Sequence, residues 1–105
     1  MKANKRERVE KAGWKVGDAQ EFLELSDTEA ALVEVRVSLA RDLRRRRKEK
    51  KISQATLANR IGSSQSRVAK MEAGDPSVTI DLLMKTLLST GSTPAEIARV
   101  IAEAG

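Results

Sequence analysis

Between Ser26 and Ile61 the chain has neither proline nor glycine, and its apolar residues recur at helical spacing. Leu32, Val35, Leu39 and Leu43 follow one another in steps of three and four, which marks one face of a helix. Ser26-Asp-Thr-Glu29 has the form of a capping box, and Leu25 is placed to staple onto Ala30. This pattern predicts one long helix from about Ser26 to about Lys50. Arg44–Lys48 fall in its last turns, where cations complement the helix dipole.

The rest of the chain is punctuated at short intervals. Upstream, Asp18 with Glu21 three residues later predicts a separate short helix carrying Phe22 and Leu23. Residues 1–13 are polar and basic and read as a loosely ordered lead-in. Downstream, Ser53 opens a segment with Leu57, Ala58 and Ile61 on one face, and Gly62 stops it. Ser64 caps the next segment, which turns Val68 and Met71 inward before the Gly74-Asp-Pro76 turn. Thr79 caps a helix with Ile80, Leu83 and Leu87 inward, ending at Gly91. Thr93-Pro-Ala-Glu96 combines a cap, a proline in the first helical position and the reciprocal Glu. The last helix carries Ile97, Val100 and Ile101. No alternation of strand type and no internal repeat is present, so the expected class is all-α.

Charge is distributed in blocks. The net charge is +5, yet residues 21–40 hold five acids and one Arg, whereas residues 41–52 hold eight basic residues against Asp42 and Glu49. Such a block suits a polyanion, and Arg47, Lys48 and Lys51 are its candidates for phosphate contacts. Alone it would be read as a solvated helix end. With no Cys and no His, disulfides, zinc fingers and Cys or His nucleophiles are excluded. No apolar run approaches the roughly 20 residues that span a bilayer, and the N-terminus lacks the apolar centre of a signal peptide, so a cytoplasmic protein is expected. Glu21 and Glu24 have no nucleophile or enclosing residues near them in sequence, and Gly13 and Gly17 are too isolated for a phosphate loop. Neither an enzyme nor a cofactor is expected.

Two short helices joined at a tight corner need a small residue where they touch, a residue tolerant of unusual backbone angles in the turn, and apolar residues to pack the second helix back. Ala58, Gly62, and Val68 with Met71 supply these. Gln65, Ser66, Arg67 and Lys70 are then left facing outward. Gln can contact adenine in two places, Arg can do so to guanine, and Ser serves several bases or a phosphate.

In Ser53-Gln54, Leu57-Ala58, Gly62, Ser64-Gln65, Val68, Glu72 and Gly74, followed by Leu83 and Leu87, the sequence resembles the Xre/Cro/phage-repressor family of helix-turn-helix proteins. The likeness covers roughly residues 39–88. It implies a five-helix repressor-like domain over residues 26–105, with its motif at 53–74 and residues 1–25 as an N-terminal extension. It also implies that Gln54 meets phosphate and braces Gln65, that Gln65, Ser66 and Lys70 face bases, and that Ser64 and Arg67 lie near the backbone or base edges. Double-stranded DNA and a homodimer are the implied partners. Over the whole chain, size and the Trp14-to-Ser26 segment are similar to small HigA-like antitoxin regulators, which repress their own operon and neutralise a RelE/HigB-type RNase toxin. Two other readings remain open here. One is an antitoxin whose main task is to bind a small basic RNase; the other is an interaction adaptor that does not bind DNA. Trp14 and Phe22 are expected to cover the edge of the core, or else to anchor such a partner.

Overall fold

A computed structural model describes residues 16–104, with side chains from Ser26 onward. These residues form five helices and no strand: α1 (Val16–Glu49), α2 (Gln54–Arg60), α3 (Gln65–Glu72), α4 (Ile80–Ser89) and α5 (Pro94–Ala102). Trp14, residues 1–13 and the side chain of Phe22 lie outside the described residues. The chain divides into two compact units, residues 1–32 and residues 33–105. In the first, the described residues belong to the first half of α1. The second holds the remainder of α1 and the other four helices.

One expectation fails here. The separate helices foreseen around Asp18 and from Ser26 are a single helix of 34 residues. A serine followed by Asp, Thr and Glu allows a helix to begin but does not require it, because none of the four is barred from a helical interior. Without proline or glycine at that point, nothing stops the helix from running through. Leu32 departs from its reading as well: it lies on the predicted apolar face yet is 45% exposed.

The core of the second unit comes from the predicted inward positions. Leu39, Leu43, Val68, Met71, Leu83 and Leu87 are fully buried, with Leu57, Ala58 and Ile97 beside them; Val78, from the loop ahead of α4, joins them without having been foreseen. Side-chain ion pairs hold the end of α1 together: Asp42, itself buried, accepts from Arg45 at 2.5 Å and from Arg46 at 2.9 Å. Arg36 donates to the carbonyl of Val78 at 3.1 Å, tying α1 to the loop ahead of α4.

Every predicted cap from Ser53 onward forms. Ser53, Ser64, Thr79 and Thr93 each accept a first-turn backbone N–H. At Thr93 the box is reciprocal, with the Thr93 N–H donating to Glu96 at 2.9 Å. The Thr93 N–H, the Thr93 hydroxyl and Arg46 together hold the Glu96 carboxyl below its ordinary value. A lowered pKa in the folded state means that the contribution is present above the unfolded-chain value and is lost as pH falls through the folded one. Melting temperature should therefore decline as pH drops below about 4. Thr93→Ala should cost about 0.5–2 kcal/mol near neutrality, and Glu96→Gln should flatten that part of the pH profile. An unaltered profile in the second variant would remove Glu96 from the acid sensitivity.

Candidate nucleic-acid interface

The α2–α3 corner is fixed by backbone geometry. Ser63 N–H reaches back to the Ala58 carbonyl at 2.8 Å, and Gly62 N–H donates to Asn59 at 3.3 Å. Gly62 has φ +67°, while a Cβ there would meet nothing within 4 Å. The requirement for glycine is thus conformational and not a matter of space. Ala58 is 3% exposed within the core that the two helices share. Gly74, beyond α3, differs: φ is +69°, and an added Cβ would lie 3.4 Å from Val37 Cγ2 on α1.

Val68 and Met71 pin α3 from beneath. Gln65, Ser66, Arg67 and Lys70 are exposed, and among the described residues none has an ion-pair partner. Ser64, the exposed cap, accepts from Arg67 N–H at 3.2 Å, and its hydroxyl lies 3.3 Å from that of Ser66. A depression joins Ser64, Ser66, Arg67 and Lys70 to Ser77 and Val78 of the following loop. From its residues alone that loop is only a turn. Its shape comes from Asp75, which accepts from Ser77 N–H at 2.8 Å. The Ser77 hydroxyl and N–H hold the Asp75 carboxyl below its ordinary value.

The basic block separates into two groups. Arg41, Arg44, Lys48 and Lys51 are exposed, and among the described residues no carboxylate pairs with them. Lys51, two residues past the end of α1, has φ +58°, a conformation usually given to glycine, and it stays exposed there. Lys50 reaches across to donate to the carbonyl of Thr90.

Arg47 belongs to the other group, and its expected phosphate contact does not fit its position. Its Nε lies 2.6 Å from Glu72 Oε2, its Nη2 lies 3.0 Å from Glu72 Oε1, and its Nη1 donates to the Ile52 carbonyl at 2.9 Å. The two side chains are only 11% and 3% exposed. The hydrogen bonds to Glu72 raise the Arg47 pKa further, so the guanidinium stays charged and committed. Gln54 does not brace Gln65 as expected: its amide donates to Glu72 Oε1 at 3.1 Å. Glu72 thereby gathers the end of α1, the start of α2 and the end of α3. A glutamate at the inward end of α3 was the available signal, because a buried carboxylate needs a cation.

What the geometry offers is a short helix standing proud of the core, with a capped N-terminus, a polar outer row and exposed lysines at the end of α1. A helix can enter the major groove of B-form DNA in this manner. Among the described residues, no helix is long and apolar enough to cross a membrane. Comparison with known families gives a match to a family described as helix-turn-helix over residues 43–101. No curated protein and no solved structure matches the chain.

Proposed function

Because the chain belongs to the helix-turn-helix family, whose domain points to DNA-binding transcription regulation, we propose that it is a sequence-specific, homodimeric repressor that reads the major groove with α3. The exposed row Gln65, Ser66, Arg67 and Lys70, held outward by buried Val68 and Met71, carries this reading. Gln65, Ser66 and Lys70 face base edges, and Ser64 and Arg67 sit at the groove's rim. Gln54 contributes less than the sequence suggested, since its amide is shared with Glu72. Lys48 and Lys51 meet phosphates and supply salt-dependent affinity without reading sequence. Repression follows by steric exclusion of polymerase from a bound promoter.

The test compares cognate and random DNA by titration. Gln65→Ala is expected to weaken cognate binding by about 1–3 kcal/mol and to leave random DNA nearly unchanged. Lys51→Gly, which suits the positive φ, should instead weaken both and reduce the salt slope by about one. Equal losses on both DNAs for Gln65→Ala would remove that residue from base reading.

A second role is favoured by one observation. Residues 16–34 carry six acids and no Lys or Arg. Such a segment suits a basic protein, and a small RNase toxin is the reading with the right chemistry. In that case Gln65→Ala, defective in repression, should still neutralise the basic partner when co-expressed with it. Loss of both activities together would count against a separate neutralising surface.

A further inference from the structure

On the outer side of α1, Val33, Glu34, Val37, Ser38 and Arg41 line a shallow groove. Through Ser38 and Arg41 it continues into a second depression floored by Val100 of α5. Val33 is 51% exposed, and Val37 is half-buried. Glu34 and Arg41 are both exposed, and among the described residues neither has an ion-pair partner. They are seven residues apart, which places them on the same side of the helix within about 20°. At about 1.5 Å per residue they stand roughly 10 Å apart along the axis, too far to pair with each other. Their charges are opposite and equidistant from the Val37–Ser38 bond.

That arrangement is self-complementary under a two-fold rotation. We propose that this face of α1 is the homodimer interface, and that a second copy of this chain packs antiparallel on it about an axis between Val37 and Ser38. Each Glu34 then meets the partner's Arg41, Val37 lies beside the axis, and Val33 flanks the charged pair. Residue i facing residue j and j facing i is what an isologous two-fold contact requires. No residue of α3 is used, so the dimer leaves Gln65, Ser66, Arg67 and Lys70 open, while Lys48, seven residues beyond Arg41 and so on the same side of α1, lies at the edge of the contact. The inference rests on the proposed DNA reading for the use of the dimer, but not for its geometry.

Sedimentation velocity of the full chain over a concentration series is the test. Glu34→Arg and Arg41→Glu, made singly, should each weaken self-association by about tenfold or more, because each replaces two attractive pairs per dimer with two repulsive ones. The combined variant exchanges the charges and should recover the parent's association. Singles that associate like the parent, a combined variant that does not recover, or a parent that stays monomeric would each overturn the proposal. A second measurement needs no change of charge. The chain has no cysteine, so Ser38→Cys places a single thiol beside the axis, within disulfide reach of its own copy. Oxidation should give a covalent dimer, whereas Lys85→Cys, exposed on α4, should not. Equal crosslinking at both positions would also overturn it. Failure here with sequence-specific DNA binding intact rejects this surface alone. Failure of DNA binding in the parent rejects the reading above and leaves the self-association result to stand by itself.

Discussion

Replacing Arg47 with alanine is expected to lower the free energy of unfolding by about 3–5 kcal/mol. The removed guanidinium holds both oxygens of Glu72, whose side chain is 3% exposed, together with the Ile52 carbonyl. After the change, that carboxylate keeps only the Gln54 amide as a hydrogen-bond donor among the described residues. An uncompensated buried charge is the expensive outcome, more than the loss of the pair's own attraction. Small domains have total stabilities of about 5–15 kcal/mol, so this single change should bring the unit close to unfolding. Arg47→Lys should recover only part of the loss, since an ammonium cannot present the two-pronged donor geometry. Arg47→Met combined with Glu72→Leu should recover most of it, because an apolar pair of similar size removes both charges together. Urea denaturation of the four proteins measures this. A loss under about 1 kcal/mol for Arg47→Ala would mean that the pair is as weak as an exposed one and would reopen the phosphate role first expected of Arg47.

Met71→Ala should cost about 2–5 kcal/mol. Met71 is fully buried, belongs to the central cluster, and has the Thr86 hydroxyl 3.6 Å from its sulfur. Truncation opens a cavity beneath α3 at the point where that helix is anchored. One residue earlier, Lys70 is exposed, and Lys70→Ala should change stability by less than about 0.5 kcal/mol. The contrast between adjacent positions tests which side of α3 is structural. Equal effects at the two would mean that the helix is rotated from the orientation described, and its outer row would lose its assignment.

These two residues also show what the amino-acid order reveals and what it hides. Met71 was legible as core because periodicity along a short helix fixes which side is apolar. The caps at Ser53, Ser64, Thr79 and Thr93 and the corner at Gly62 were legible for a similar reason, since each depends on residues within five positions of one another. Arg47 was not legible. Its partner lies 25 residues away, and in sequence it is one of four consecutive arginines that differ only in direction. Three residues along α1, about 60° around it, separate Arg44, exposed and without an ion-pair partner among the described residues, from Arg47, enclosed by Glu72. Ser26 shows a different limit. A capping sequence states where a helix is able to begin, and only the neighbouring residues decide whether it does. Ser77 was missed because a loop residue gains its place beside α3 from the path of the chain, not from local periodicity.

The placement of α3 is tested most directly by methylation interference on the upstream DNA that the protein binds. Dimethyl sulfate modifies guanine N7 in the major groove and adenine N3 in the minor groove. Interference should appear at guanine N7 in two half-sites about one helical turn apart, and it should weaken at specific positions with Gln65→Ala. Interference confined to adenine N3, or a pattern that Gln65→Ala, Ser66→Ala and Lys70→Ala all leave unchanged, would contradict it.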